Sequence, residues 1–134
     1  MKKLTGSCLC GTVKIQVPDN FIAMGHCHCS ECRKFTGSAF STAGIIKFDD
    51  LHFLEGEEHV TYYWKSESTE LGFCRHCGSS LFSKKHDSET CALRLGVLDD
   101  MPTQHPAFHI FVDSKVEWDQ INDDLTQYKE GITK

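Results

Sequence analysis

Gly6-Ser7-Cys8-Leu9-Cys10-Gly11 near the start of the chain and Phe73-Cys74-Arg75-His76-Cys77-Gly78 in its second half decide the fold. Each segment sets two cysteines close together and follows them with a glycine. A C-x-x-C-G turn holds two sulfurs on one side, while glycine supplies the positive φ with which the chain leaves the turn. Two such pairs offer four thiolates, the tetrahedral complement that zinc prefers. Cys8, Cys10, Cys74 and Cys77 therefore read as one closed structural metal site, stapling the start of the chain to a segment more than sixty residues away. Apparent zinc-binding free energies in small peptides are on the order of 10–16 kcal/mol, large beside the net stability of a domain. Iron of the rubredoxin type is the rival metal for four sulfurs. Zinc is preferred because no other electron-transfer signature is present.

A second cluster follows at Gly25-His26-Cys27-His28-Cys29-Ser30-Glu31-Cys32. Cys27, Cys29 and Cys32 can converge on one ion, and no remaining cysteine is an obvious fourth ligand. Three protein ligands with one exchangeable position are the pattern of reactive zinc, which deprotonates a thiol or polarises a carbonyl. A histidine or Cys91 completing a closed site is the alternative. Ser30-Glu31-Cys32-Arg33-Lys34-Phe35-Thr36-Gly37 reads as a short helix, capped by Ser30 and closed by Gly37. Its dipole would favour a thiolate at Cys32. His26, His28 and His109 are candidates for proton transfer, although no catalytic residue is assigned. Arg33 and Lys34 could hold a substrate carboxylate, or simply form a solvated helix face. Cys91 reads as a buried core thiol on one face of a strand with Leu93, Leu95 and Val97.

The rest of the chain reads as short strands. Gly11 to Val17 alternates, with Val13, Ile15 and Val17 on one face. Ala39–Thr42, Ile45–Phe48, His52–Leu54, Val60–Trp64, Ser80–Ser83, Thr90–Val97 and Phe108–Val112 are further pieces. With little helix, no repeat and no Gly/Ser linker, residues 1–134 read as one mostly β domain.

Length and composition agree. The chain has 134 residues, 25% of them charged and 40% hydrophobic, with a formal charge of −5. Zinc tetrathiolate and trithiolate sites would make the charge more negative still. That balance excludes a phosphate-backbone partner, so no nucleic acid is expected. Met1-Lys2-Lys3-Leu4 is followed by no apolar stretch, which argues against a signal peptide. No apolar run reaches membrane-spanning length, so no membrane partner is expected. Eight cysteines in such a chain point to metal or redox chemistry in a reducing cytoplasm rather than to a secreted disulfide scaffold.

Gly6-Ser7-Cys8-Leu9-Cys10-Gly11-Thr12-Val13 resembles the opening motif of the glutathione-dependent formaldehyde-activating family, whose domain is also named for a centromere protein. His26-Cys27-His28-Cys29-Ser30-Glu31-Cys32-Arg33-Lys34 and Gly37-Ser38-Ala39-Phe40 resemble its central motif. Phe73 to Ser79, with Leu81-Phe82, resembles its third. Gly96-Val97-Leu98-Asp99-Asp100 and His109 to Lys115, with Trp118, are similar to its C-terminal signatures. The likeness runs from about Gly6 to Tyr128. It implies an Mss4-like fold of short coiled antiparallel sheets around a structural zinc at Cys8, Cys10, Cys74 and Cys77, with a catalytic zinc at Cys27, Cys29 and Cys32. It also implies a carbon–sulfur lyase activity joining glutathione to formaldehyde as S-hydroxymethylglutathione. A non-catalytic protein-interaction module and a thiol redox or metal-handling protein are the rival readings of the same residues.

Overall fold

The alternation around Val13, Ile15 and Val17 produces a strand, Lys14–Pro18, whose apolar residues are fully buried. The computed structural model describes residues 2–132; Met1, the first residue of the rejected leader, and the last two residues of the expected 1–134 unit lie outside them. In chain order the strands are β1 (Lys3–Ser7), β2 (Lys14–Pro18), β3 (Ala23–Cys27), β4 (Ser41–Lys47), β5 (His52–Glu55), β6 (Val60–Trp64), β7 (Thr69–Cys74), β8 (Ser80–Lys85), β9 (Thr90–Arg94), β10 (Phe108–Ile110) and β11 (Thr126–Gln127). One α-helix, α1 (Ser30–Thr36), separates β3 from β4, and four short 3-10 turns join other strands.

The chain is mostly β, as expected. Strands β1, β2 and β5 form one sheet, and the other eight form a second in the order β11-β10-β3-β4-β9-β8-β7-β6. Pairing is antiparallel except at β10, which runs parallel to both β3 and β11. Between the sheets lies a cluster that includes Leu4, Val13, Ile15 and Val17 from the small sheet and Ile46, Leu81, Phe82 and Leu93 from the large one. The Phe82 ring lies over Gly72, its cross-strand partner on β7, where a Cβ would come within 2.7 Å of it. That close approach lets one large ring fill the centre of the core.

Several elements differ from their sequence reading. The expected pieces Ala39–Thr42 and Ile45–Phe48 are one strand, β4, continuous through Ala43 and Gly44. The expected strand Thr90–Val97 ends at Arg94 and becomes a 3-10 turn over Leu95–Val97. Leu95 and Val97 still pack against the core, so a tight turn imitates strand alternation. The strand expected over Phe108–Val112 ends at Ile110, because Phe111 takes a left-handed φ of 57° that no strand can propagate. Strands β1, β3, β7 and the two-residue β11 were not expected at all; in the first three a glycine (Gly6, Gly25 and Gly72 in turn) breaks the apolar run.

Helix α1 is capped by Cys29, not by Ser30. Cys29 takes the extended N-cap conformation, and its sulfur accepts the Cys32 N–H at 3.3 Å. Gly37 closes the helix in the left-handed conformation as expected, its N–H donating to the Arg33 carbonyl.

Gly56 turns the chain between β5 and β6 with a φ of +79°, and a Cβ there would lie 2.0 Å from the Thr12 carbonyl oxygen. Gly56→Ala is therefore expected to destabilise the protein by about 2 kcal/mol or more. Gly96→Ala, with nothing within 4 Å of the added carbon, should leave the thermal midpoint nearly unchanged. Thermal unfolding of the two variants checks this.

Candidate metal centres and the cavity beside them

Two turns of matching construction carry the first four sulfurs. Between β1 and β2, Gly11 N–H donates to the Cys8 carbonyl and Cys8 N–H to the Val13 carbonyl. Between β7 and β8, Gly78 N–H donates to the Cys74 carbonyl and Cys74 N–H to the Ser79 carbonyl. Gly11 and Gly78 close the turns at φ of 80° and 78°, a region that glycine enters without strain. The Leu9 N–H donates to the Ser79 hydroxyl at 2.8 Å, joining one turn to the other.

Cys8, Cys10, Cys74 and Cys77 place their sulfurs within 4.8 Å of one another. The Cys8–Cys10 separation is 3.6 Å and the Cys10–Cys74 separation 3.8 Å. A tetrahedron with metal–sulfur bonds of about 2.3 Å has edges of about 3.8 Å, so this donor set fits zinc. Polar donors surround the sulfurs: the Val13 N–H reaches Cys8 Sγ at 3.3 Å, and the Thr12 and Ser79 hydroxyls lie 3.1 Å and 3.2 Å from Cys10 and Cys77. The Thr12 hydroxyl and N–H hold the Cys10 thiol below its ordinary range. Burial pushes Cys74 up to about 11. At Cys77 burial also pushes upward, but donors from Ser79 and Cys10 prevail and bring the thiol down to about 5. Thiolate charge is thus favoured on the donor-rich side of the quartet.

Cys27, Cys29 and Cys32 form the second group, again with sulfurs within 4.8 Å of one another. Cys27 ends β3, Cys29 caps α1 and Cys32 lies in its first turn. Among the described residues no histidine, carboxylate or further cysteine joins this group. His28, one alternative fourth ligand, points its Nε2 at His109 instead. Cys91, the other, is buried in the core on β9, where burial pushes its thiol up to about 12. With no metal bound, sharing a hydrogen bond with Cys27 raises Cys32 and lowers Cys27, so the thiolate preference expected at Cys32 falls on Cys27. Direct sulfur–sulfur coupling outweighs the dipole of a two-turn helix.

The three candidate histidines gather beside the trio, but into different roles. His109 Nε2 faces the Asp123 carboxylate at 2.9 Å and 3.1 Å, while His28 Nε2 faces His109 Nδ1 at 2.8 Å. A carboxylate only accepts, so His109 carries its proton on Nε2, and His28 donates from its own Nε2 into His109 Nδ1. His26 stacks on His109 at 4.7 Å, and its Nδ1 lies 2.8 Å from the Thr42 hydroxyl. Burial above all, then the neighbouring His109, holds His28 down at about 4; the same causes lower His26.

A cavity of about 370 Å³ lies against the trio, with Cys27, Cys32, His26, Ser41 and Arg94 in its wall. A wider cleft of about 650 Å³, lined by Lys34, Phe35, Phe40 and Arg94, runs past it toward Cys77. Lys34 lines this wider cleft and not the cavity against the trio. Arg94, Ser41 and Asp123 were not anticipated. Arg94 had one visible signal, a cation at the end of an otherwise apolar strand. Burial lowers the Arg94 guanidinium from its ordinary range while the sulfurs of Cys32, Cys27 and Cys29 hold it up. Its guanidinium also lies over the Phe35 ring at 5.2 Å.

No helix of the described residues is long and apolar enough to cross a membrane.

Removing Asp123 leaves a buried imidazole N–H without its acceptor. Asp123→Ala is expected to lower stability by about 1 kcal/mol, and Asp123→Asn, which keeps an acceptor oxygen, by less. Thermal unfolding of both variants checks the order.

The sequence profile of the family described as glutathione-dependent formaldehyde-activating enzyme matches residues 3–114. A Penicillium rubens protein and an Aspergillus terreus protein, both provisionally named glutathione-dependent formaldehyde-activating enzyme, are each 27% identical to it over 82% of this chain and 61% of their own length. An uncharacterized lyase of Schizosaccharomyces pombe is 27% identical over 61% of this chain and 58% of its own. The chain thus spans about three-fifths of the length of these relatives. A crystal structure of a Rhodobacter sphaeroides protein superposes with a TM-score of 0.61 at 26% identity, covering 74% of this chain and 91% of that one. Profile, motifs and architecture agree: the chain belongs to the glutathione-dependent formaldehyde-activating enzyme family.

Proposed function

We propose that this chain is a zinc-dependent enzyme of the carbon–sulfur lyase type, joining or separating glutathione or a related small thiol and formaldehyde or a related aldehyde. The observation that carries this reading is the contrast between a complete sulfur quartet and a trio with no fourth protein donor among the described residues. The family and the names of its relatives support the same chemistry.

In this reading Cys8, Cys10, Cys74 and Cys77 hold a structural zinc, and Cys27, Cys29 and Cys32 hold the catalytic one. Zinc bound by three thiolates would supply a Lewis-acid position open to a thiolate or a carbonyl oxygen. The chain's own residues do the rest. Cys29 fixes the trio by capping α1 with the same sulfur that binds metal. Arg94, buried beside the sulfurs, offsets their negative charge. His26 stands in the wall of the cavity and is the histidine placed to exchange a proton with substrate. His28 and His109 bond to each other and to Asp123, and so position the Cys27–Cys29 segment rather than reach the substrate. A cavity against Cys27 and Cys32 favours a small-molecule enzyme over an interaction platform. Eight free thiols suit a reducing cytoplasm.

Purified protein is expected to carry two zinc ions per chain. Cys32→Ala should keep the fold and one zinc. Cys77→Ala should lose cooperative unfolding. Metal analysis with circular dichroism distinguishes these outcomes, and one zinc in the unaltered protein contradicts the assignment. Exchange between glutathione and formaldehyde, followed by NMR, should accelerate with zinc-loaded protein and return to the uncatalysed rate with Cys32→Ala. No acceleration by the loaded protein would refute the activity.

A further inference from the structure

Strand register builds the cavity beside the trio from unusually small parts. Gly25 on β3 pairs with Ala43 on β4, and Ala43 pairs with Arg94 on β9. Two residues along, Cys27 pairs with Ser41. Side chains two apart on a strand share a face, so Gly25, Ala43 and Arg94 form one row and Cys27 and Ser41 the next. The Phe108 ring packs over Gly25, while Ala43 and Ser41 are the small side chains beside the Arg94 and Cys27 positions on this face.

Among the described residues, two polar groups in its wall have no partner. Ser41 is 1% exposed and Arg94 7% exposed, and both Ser41 Oγ and Arg94 Nε lack any hydrogen bond. One end of the guanidinium is anchored, with Nη1 donating to the Ala92 carbonyl at 3.0 Å and lying 3.5 Å from the Ser83 hydroxyl. Buried polar groups are nearly always paired, and an unpaired one in a cavity marks a place where a ligand completes it. A cationic N–H and a hydroxyl in the wall of one cavity are the donor types that match a planar carboxylate.

Volume supports a substrate larger than the simplest aldehyde. A water-sized molecule occupies roughly 30 Å³, so two heavy atoms would leave most of about 370 Å³ empty. Resting on the function proposed above, we infer that Arg94 and Ser41 form a carboxylate subsite, and that the aldehyde substrate is a short one bearing a carboxylate, of the glyoxylate type. Its acid group sits between Arg94 Nε and Ser41 Oγ, which turns its carbonyl toward the sulfur trio.

Acetate and the neutral acetamide test the subsite without turnover. Titrated into zinc-loaded protein, acetate should shift the Arg94 Nε–H resonance saturably, while acetamide should not. Arg94→Lys and Ser41→Ala should each weaken acetate binding by about tenfold or more, with zinc content and the amide spectrum reporting that the fold persists. An Arg94 resonance that acetate leaves unmoved would show the anion resting on the metal alone and overturn the inference, as would an equal response to acetamide. With one thiol, glyoxylate should be turned over with a kcat/KM at least about tenfold above that of glycolaldehyde, and the reverse order would overturn the substrate class. Acetate binding without thiol–aldehyde exchange would reject the proposed activity while leaving the subsite standing.

Discussion

Four sulfurs meeting at one point connect the two sheets of this protein. Cys8 and Cys10 leave the small sheet, Cys74 and Cys77 the large one, and their sulfurs converge to within 4.8 Å of one another. Four sulfurs at that spacing repel one another once ionised, so the arrangement is stable only with a cation at its centre or protons shared among the thiols. The surrounding N–H and hydroxyl donors soften the repulsion without removing it. Sheet packing contributes as well, since Val13 and Cys8 belong to the same buried cluster as Phe82 and Cys74. The metal centre and the hydrophobic core are therefore adjoining parts of one structure, and loss of either loosens the other.

The second trio is placed by that framework. Strand β3 delivers Cys27, and the turn into α1 delivers Cys29 and Cys32. Three thiolates leave net negative charge after binding a divalent ion, in a region shielded from water on one side. Arg94 lies there, buried and aromatic-stacked. Its position follows from β9 pairing with β4, so the counter-charge is held by the sheet rather than by a loop. The imidazole chain from Asp123 through His109 to His28 has a similar role on the opposite side of the Cys27–Cys29 segment. It engages both ring nitrogens of His109 and the Nε2 of His28, and leaves the buried Nδ1 of His28 without a partner among the described residues.

The sulfur groups were legible in the sequence because the trio and each pair of the quartet are close along the chain, and glycines mark the two turns of the quartet. The mostly β architecture was legible where one face alternates cleanly, as at Val13, Ile15 and Val17. Strands β3 and β7 were hidden because their inward positions include glycines and ligand residues, which carry no apolar signal. The helix cap was misread because a serine stood beside a cysteine, and capping statistics favour serine. Here the cysteine sulfur does the capping. Ser41, Arg94 and Asp123 could not be placed, because each acts through a partner fixed by strand register or by a long connection. Arg94 meets Ala43 across more than fifty residues of sequence, and Asp123 lies beyond the span matched by the family profile.

Unequal coordination at the two centres is the point most open to direct measurement. X-ray absorption at the zinc edge of the metal-loaded protein reads the average ligand shell. Seven sulfurs and one exchangeable oxygen distributed over two ions are expected, with the oxygen replaced by an eighth sulfur when glutathione is added. A shell of sulfur and histidine nitrogen that does not change on adding thiol would mean that the second centre is closed, and would contradict a reactive site there.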